Sequence, residues 1–276
     1  MSTLDDQLDK PMRELLARYR FDAATFERLR LRLQSGQAEP ADNRVREPLG
    51  VPEPDDIIRL PAYGSAARAG LRALGLAALG RGEVAACILA GGMATRFGGV
   101  VKAGVEVVSG HSFLELKLRD VEQLAEQLQR PVSAVLMTSF ATDAEIQRMV
   151  SSRQDSAVQV TCFAQSISLR LSADGQLFRD QAGRPSPYAP GHGDMTFALA
   201  EAGLLARLQR QGVRYLYVSN VDNLAASLDP SVIGAHLEGE ARMTFEVAPL
   251  WPGDQGGVPA RLAGRLQVIE ALRYPA

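Results

Sequence analysis

A glycine-rich stretch with two basic side chains is the first part of this sequence that is suited to chemistry. Residues 89–102 read LAGGMATRFGGVVK and contain no acidic residue. Gly91 and Gly92 let backbone N–H groups approach a ligand closely. Arg96 and Lys102 add positive charge, and the combination suits a polyphosphate. The pattern is neither GxxxxGK[ST] nor GxGxxG, and the alternative is a tight turn after a strand with two solvated bases.

A second stretch presents a histidine between two glycines. Residues 188–194 read YAPGHGD, so that His192 lies between Gly191 and Gly193. A histidine in this setting is suited to donating a hydrogen bond to a phosphate or a sugar hydroxyl. The alternative is a surface turn before a helix, and in either case we expect Asp194 to cap that helix.

Polar side chains also follow the apolar run at 215–219. Asn220, Asp222 and Asn223 lie within four residues of one another. A single carboxylate suits a hard cation such as Mg²⁺ that is shared with phosphate oxygens, and the two amides suit sugar hydroxyls. An Asx-turn that ends a strand is the alternative.

Gln165 follows another apolar run, in AQSISL. Its amide has both donor and acceptor atoms, and so could pair with the edge of a nucleotide base. The alternative is a polar side chain that is satisfied within the protein.

These segments are joined by a regular alternation of predicted elements. From residue 83 onward, short β-prone runs alternate with amphipathic helical patterns, and Ser112 with Glu115 forms a capping box at the start of one helix. Residues 194–212 are predicted as one helix that ends at Gly212, and ARMTFEVA (241–248) and GRLQVIE (264–270) as closing strands. The pattern predicts an α/β fold with a mostly parallel sheet and helices on both faces. In such sheets, ligands bind at the carboxyl ends of the strands, where the polar segments should converge.

The first 62 residues differ from the rest of the chain. Residues 1–38 are predicted to be helical, with Asp22 as a cap, and residues 39–61 hold five prolines and read as an extended connector along a surface. We therefore predict an N-terminal helical segment with a proline-rich connector over 1–62 and a core over 63–276.

Composition excludes several classes of function. The net charge of −2 gives no reason to expect binding to nucleic acid or to a membrane surface. Two cysteines without a CxxC motif argue against a disulfide scaffold and a zinc site. The N-terminus lacks the pattern of a signal peptide, and so we expect a cytoplasmic protein.

The motifs together resemble those of the UDP-glucose pyrophosphorylase family. The resemblance is carried by LAGGMATRFG…K, SFATD, PGHGD, VSNVDNL and GRLQVIE, and runs from about Val84 to Glu270. It implies a Rossmann-like nucleotidyltransferase core, in which UTP and a sugar 1-phosphate form a UDP-sugar and pyrophosphate with Mg²⁺. Glucose 1-phosphate is the favoured sugar phosphate, and an N-acetylhexosamine 1-phosphate or another sugar phosphate is the alternative.

The resemblance also implies roles for individual residues. Those expected to contact the nucleotide are Leu89, Ala90, Gly91, Gly92, Gln165, Gly191 and Asp222, with the uracil edge read by Gln165 and Gly191. The triphosphate would be held by Arg96 and Lys102, which are the predicted catalytic residues, and the metal ion by Asp222. The sugar phosphate would be bound by His192, Asn220, Asn223 and Glu270.

The sequence departs from the family pattern at three points. Ala94 stands where a glycine is frequent, and the path from the glycine-rich stretch to Lys102 is shorter. The sequence stops before the second phosphate-binding lysine and the C-terminal domain of the family, and so the core is expected to be incomplete at its C-terminal end. A homologue or fragment that binds nucleotide without turnover is therefore the alternative from another class, and the oligomeric state stays open.

Overall fold

A computed structural model describes residues 4–37, 43–94, 99–151, 153, 157–254 and 256–275 of the 276-residue chain. The helices are α1 (Lys10–Arg18), α2 (Ala23–Gln34), α3 (Ala66–Arg81), α4 (Phe113–Leu128), α5 (Asp143–Ser151), α6 (Met195–Glu201), α7 (Leu204–Arg210) and α8 (Pro230–Glu238). The longer strands are β1 (Val84–Leu89), β6 (Val132–Thr138), β7 (Val158–Ala164), β10 (Tyr215–Asn220), β11 (Val258–Leu262) and β12 (Arg265–Ile269). The shorter strands are β2 (Met93–Ala94), β3 (Val100–Val101), β4 (Glu106–Val108), β5 (His111–Ser112), β8 (Ser168–Leu169) and β9 (Pro187–Tyr188).

The centre of the fold is a four-stranded parallel sheet in the order β10-β1-β6-β7. Alternate residues of β1 point to opposite faces, because side chains alternate along a strand. Ile88 packs with α3, α4, α5 and α8 on one face, whereas Cys87 packs with α6 and α7 on the other. The predicted fold class, a parallel sheet covered on both faces, is therefore confirmed.

Most of the predicted helix boundaries are confirmed, since the capping side chains occupy the expected positions. Asp22 accepts from the Thr25 N–H, and Ser112 and Glu115 form the reciprocal capping box. Residues 194–212, in contrast, form two helices rather than the one predicted. Gly203 lies between α6 and α7 at a φ of 69°, and this left-handed conformation ends the first helix.

The predicted strand at 241–248 is wrong. This segment has no regular secondary structure, and the large apolar side chains Met243, Phe245 and Val247 are exposed. The alternation of its residues is typical of a strand, but a strand also requires a hydrogen-bonding partner. The predicted strand at the end of the chain does form, as β12, and it pairs with β11 in an antiparallel hairpin.

The N-terminal segment and the connector both pack on other parts of the chain. Leu16, Tyr19 and Phe26 share an apolar cluster with Ile167 and Leu169. The connector runs along the β11–β12 hairpin, where Asp56 accepts two hydrogen bonds from Arg261 and Gly50 pairs with the same residue. No helix within the described ranges is long and apolar enough to cross a membrane.

Candidate functional site

The carboxyl ends of the parallel strands meet at one edge of the sheet, as their register requires. Leu89, the last residue of β1, lies opposite Asn220 of β10 and Met137 of β6. Thr138 lies opposite Ala164 of β7. The segments that follow these strands hold most of the predicted site residues, and the structure therefore brings them to a common edge.

The glycine-rich segment is fixed to both neighbouring strands by backbone hydrogen bonds. The Ala90 N–H donates to the Met137 carbonyl at 2.8 Å, and the Leu89 carbonyl accepts from the Val221 N–H at 3.0 Å. Beyond the strand, the Ser139 hydroxyl donates to the Gly91 carbonyl at 2.8 Å. Ser139 lies in the SFATD segment, whose role as a partner of Gly91 the sequence did not predict.

Lys102 and Asp222 form an ion pair at this edge, although 120 positions separate them in the chain. The Lys102 Nζ lies 3.0 Å from Asp222 Oδ2, and the two side chains are 36% and 35% exposed. The Lys102 N–H also donates to the Gly92 carbonyl at 3.2 Å. The pair therefore places one cation and one carboxylate beside the glycine-rich segment, open to solvent. Arg96, the other predicted cation, lies outside the described residues.

Gln165 is held against the second glycine-rich segment. Its side chain is buried, with 3% of the residue exposed, and its Oε1 accepts from the Gly191 N–H at 2.8 Å. Gly191 has a φ of 95°, a conformation that favours glycine. A Cβ on Gly91 would lie 2.3 Å from Gln165 Nε2, and so this Nε2 lies directly against Gly91. Gln165, Gly91 and Gly191 thus form one compact group, and His192 follows it as an exposed residue.

The predicted capping role of Asp194 is wrong. Its carboxylate accepts from the N–H and the hydroxyl of Ser166, at 2.7 and 2.9 Å, and makes no cap hydrogen bond to α6. Asp194 is itself in a helical conformation, so it lacks the extended backbone of a typical N-cap. Ser166 is one position after Gln165 and Asp194 three positions after Gly191, so these hydrogen bonds are a second connection between the same two segments.

Asn220 is the last residue of β10 and Asn223 lies three positions beyond it, and both are exposed. Asn223 Oδ1 accepts from the Ala226 N–H at 3.2 Å, three positions on, whereas the Asx-turn of the alternative interpretation joins a side chain to the N–H two positions on. Its side-chain NH₂ keeps its capacity to donate to a ligand. The local hydrogen bond and a contact with a ligand are therefore compatible at this residue.

Two residues of α4 hold the same turn, and neither is among the predicted site residues. Lys117, which is 4% exposed, donates to the Ala226 carbonyl, and Asp120 accepts from the Leu228 N–H at 3.3 Å. Burial lowers the pKa of the Lys117 ammonium. A lysine normally indicates the solvated face of an amphipathic helix. The helical period nevertheless places Lys117 on the same face as Leu114, Val121 and Leu124, and this spacing is the sequence signal for its burial.

Glu270 is placed on a different part of the molecule. It follows β12 of the β11–β12 hairpin and is exposed. Within the ranges that the structure describes, no hydrogen bond or ion pair joins Glu270 to the residues at the sheet edge. Its predicted contact with sugar hydroxyls therefore stays a prediction.

The chemistry available at the edge is that of binding and charge neutralisation. Among the described residues, no group of three His, Cys, Asp or Glu side chains is arranged to hold a metal ion by itself. Burial raises the pKa of the Cys87 thiol to about 12 and that of Cys162 to about 11. Thiolate nucleophiles are therefore disfavoured, and the arrangement suits a reaction that is driven by the positioning of charged substrates.

The sequence is similar to those of a known family of enzymes over most of its length. The model of a family described as UTP–glucose-1-phosphate uridylyltransferase matches residues 77–276. The UTP–glucose-1-phosphate uridylyltransferase of Hordeum vulgare is 32% identical over 192 residues, covering 68% of this chain and 41% of the relative. The enzyme of the same name from Saccharomyces cerevisiae is 32% identical over 199 residues, covering 70% of this chain and 40% of the relative. This chain thus spans about two fifths of the length of these curated relatives.

Solved structures show the same fold. The UDP-N-acetylglucosamine pyrophosphorylase of Trypanosoma brucei superposes with a TM-score of 0.72 at 23% identity, over 98% of this chain and 60% of that one. The UDP-glucose phosphorylase of the same organism superposes with a TM-score of 0.68 at 22% identity, over 91% of this chain and 53% of that one.

Proposed function

The chain belongs to the UTP–glucose-1-phosphate uridylyltransferase family, and we propose that it transfers the uridylyl group of UTP to a sugar 1-phosphate, with glucose 1-phosphate favoured. The products are a UDP-sugar and pyrophosphate. The observation that carries the proposal is the group formed by Gln165, Gly91 and Gly191 beside the Lys102–Asp222 pair. The group around Gln165 suits a nucleotide base, and the Lys102–Asp222 pair suits a triphosphate with its metal ion. In this proposal residues 63–276 are the nucleotidyltransferase core and residues 1–62 an accessory segment.

The amide of Gln165 has a defined orientation, and this orientation favours uracil. Its Oε1 already accepts from the Gly191 N–H, so Nε2 is the atom left to donate beside Gly91. Uracil presents carbonyl oxygens, which accept from such a donor. Cytosine keeps the carbonyl at C2 and carries an amino group in place of the carbonyl at C4, so that two donors would face each other where Gln165 Nε2 meets the C4 edge. The site therefore discriminates between the two bases through a single amide.

The triphosphate would lie along Lys102 and, as the resemblance implies, Arg96. An oxygen of the sugar phosphate attacks the α-phosphorus of UTP in line, a new P–O bond forms, and the bond to pyrophosphate breaks. The attacking phosphate oxygen is already ionised at neutral pH and needs no general base. The contribution of the protein is positioning, together with stabilisation of the charge that develops in the transition state.

A magnesium ion fits the donor set at Asp222. The Asp222 Oδ2 is occupied by Lys102, which leaves Oδ1 for a cation. Mg²⁺ in nucleotide sites is usually bound by one or two carboxylates together with substrate phosphates. When bound, the ion would neutralise phosphate charge, and Asp222 would hold it beside the triphosphate.

The sugar phosphate would contact the exposed residues around the same edge. We assign His192, Asn220 and Asn223 to this side, with Glu270 reaching the sugar hydroxyls as the resemblance implies. An N-acetylhexosamine 1-phosphate is the alternative substrate. A cytoplasmic location is supported by the free thiols of Cys87 and Cys162, which are usual in reducing compartments.

The proposal is tested by mixing the chain with UTP, Mg²⁺ and glucose 1-phosphate and measuring release of pyrophosphate. A parallel reaction with N-acetylglucosamine 1-phosphate tests the sugar, and calorimetry measures binding of UTP alone. Release with glucose 1-phosphate is expected. Binding of UTP without release would favour a nucleotide-binding homologue, because the chain covers only about two fifths of its curated relatives. Absence of UTP binding would contradict both interpretations.

Gly91→Ala is expected to weaken UTP binding about tenfold with little effect on folding. The new Cβ would lie 2.3 Å from Gln165 Nε2 and 3.3 Å from the Thr138 carbonyl. The terminal amide of Gln165 is able to move away, so the loss falls mainly on base binding, at about 1.4 kcal/mol. Calorimetry with UTP and urea denaturation measure the two effects.

Gly70→Ala provides the matched control for Gly91→Ala. A Cβ on Gly70, within α3, meets no atom within 4 Å. We expect unchanged UTP affinity and a stability gain of about 0.5–1 kcal/mol, because alanine is the better helix former. An unchanged UTP affinity in Gly91→Ala would exclude the proposed contact of Gly91 with the nucleotide.

A further inference from the structure

The loop that carries Gln165 is fixed by the turn between the two N-terminal helices. We define the base loop as Ala164–Ile167. The Ile167 N–H donates to the Tyr19 carbonyl at 3.0 Å, and the Arg20 guanidinium donates to the Ala164 carbonyl. Two consecutive residues of the N-terminal segment therefore hold the backbone on both sides of Gln165.

Arg20 also ties the base loop to the segment that follows PGHGD. Its Nε lies 3.2 Å from Glu201 Oε2, at the end of α6, in a partly exposed ion pair that lacks the geometry of a hydrogen bond. The helix α6 begins directly after Asp194, which accepts from Ser166 of the base loop. The single guanidinium thus bridges the two chain segments that the contact between Gln165 and Gly191 joins.

The backbone at Arg20 has an uncommon, left-handed conformation. Arg20 has a φ of 56°, in the left-handed region where non-glycine residues are uncommon. The turn reverses the chain between α1 and α2, and the Phe21 N–H donates back to the Leu16 carbonyl at 3.0 Å. A residue with a Cβ disfavours this conformation, and Arg20 adopts it together with its contacts to Ala164 and Glu201.

The Tyr19 side chain reaches the base loop by a second, buried route. Its hydroxyl donates to Asp143 Oδ2 at 3.3 Å, and the Thr138 hydroxyl donates to Asp143 Oδ1 at 2.7 Å. The Thr138 carbonyl in turn accepts from the Gln165 N–H at 3.0 Å. Burial raises the pKa of the Tyr19 hydroxyl, which keeps it protonated as a donor.

From these contacts we propose that the N-terminal helix pair (α1, α2 and the turn between them) is a brace that sets the orientation of Gln165 and thereby the preference for uracil. Arg20 and Tyr19 are positioning residues, since they act on the base through Gln165. The inference about base preference rests on the proposed function, whereas the brace itself is a property of the fold. The two are therefore separable by experiment.

The first measurement uses amide hydrogen exchange in the full chain without nucleotide. The Gly191 N–H reports the position of Gln165 because it donates to Gln165 Oε1. We expect Arg20→Ala to speed exchange at Gly191 and Ile167 about tenfold, and Tyr19→Phe to act in the same direction to a smaller extent. Arg28→Ala is the matched control, because Arg28 is exposed on α2 and its guanidinium donates to the nearby Thr25 hydroxyl.

The second measurement compares binding of UTP and of CTP, each with Mg²⁺, by calorimetry. We expect Arg20→Ala to lower the preference for UTP about fivefold, and Arg20→Lys to restore part of it. In the Gln165→Ala background the Arg20→Ala change should have no further effect on the preference, since both act through the same amide.

The outcomes separate the brace from the proposed function. Unchanged exchange at Gly191 in both Arg20→Ala and Tyr19→Phe would overturn the brace, whatever the nucleotide results. Equal weakening of UTP and CTP, or independent effects of the Arg20 and Gln165 changes, would overturn its role in base preference. Faster exchange in a chain that does not bind UTP would support the brace and contradict the proposed function.

Discussion

Lys102→Met is expected to lower the affinity of the chain for UTP about thirtyfold while leaving the fold intact. The Lys102 ammonium lies at the sheet edge beside the glycine-rich segment, where we place the triphosphate. A hydrogen bond to a charged group contributes about 1.5–3 kcal/mol, and a loss of about 2 kcal/mol corresponds to this change in affinity. Methionine keeps most of the length of the side chain and removes the ammonium group, with its charge and its hydrogen-bond donors.

The stability of the fold depends little on the same residue. The Lys102–Asp222 pair is about one-third exposed on each side. Partly exposed ion pairs contribute about 0–1 kcal/mol to the free energy of unfolding, so the unfolding midpoint should change only slightly. Calorimetry with UTP and Mg²⁺ and a urea denaturation curve measure the two quantities on the same sample.

Lys10→Met is the matched control for Lys102→Met. Lys10 also pairs with a carboxylate, Glu14, but lies exposed on α1 and is not at the sheet edge. The Lys10→Met change should leave both the UTP affinity and the free energy of unfolding unchanged. If Lys102→Met binds UTP within twofold of the unaltered chain, Lys102 does not hold the triphosphate.

The sequence was sufficient to predict the parallel sheet because buried strands and capped helices have local signals. The apolar run at 84–89 is continuous, as expected for a strand that is covered on both faces, and it forms β1. Ser112 and Glu115 predict the start of α4 because the capping box requires only four adjacent residues. The convergence of the loops then follows from the direction of the strands.

The contacts that assemble the site could not be predicted in the same way, because they join distant parts of the chain. Asp194 has the residue type and position of a helix cap, yet it binds Ser166, 28 positions earlier. Tyr19 looks like an ordinary core residue of an amphipathic helix, and only the structure shows its hydroxyl at Asp143. In both cases the local sequence is fully consistent with a simpler role, a helix cap for Asp194 and core packing for Tyr19, and so does not indicate the long-range contact.

The incorrect strand at 241–248 has a related cause. Met243, Phe245 and Val247 alternate with smaller or polar residues, and this local pattern is the same whether or not a partner strand is available. In the structure these three side chains are exposed. Strand propensity describes suitability for a sheet, whereas pairing depends on what lies beside the segment.

Gly75→Ala is expected to destabilise the fold by about 3 kcal/mol. The helices α3 and α8 cross with their backbones in contact, so that a Cβ on Gly75 would lie 1.8 Å from the Pro230 carbonyl oxygen. Across the same crossing, a Cβ on Gly234 would lie 1.9 Å from the Leu71 carbonyl oxygen. Backbone atoms cannot rotate away as a side chain does, so the helices must separate, and overpacking of this kind is costly.

The separation of these helices would also reach the candidate site, because α8 follows directly on the turn after Asp222. We expect Gly75→Ala to lower the thermal midpoint by roughly 6–12 °C and to weaken UTP binding. Gly80→Ala, in the same helix, is the matched control, since its Cβ meets no atom within 4 Å. It should gain about 0.5–1 kcal/mol from helix propensity. Thermal and urea denaturation measure the stability of both variants. If Gly75→Ala is stabilised, as Gly80→Ala is expected to be, the backbones of α3 and α8 are not in contact at Gly75.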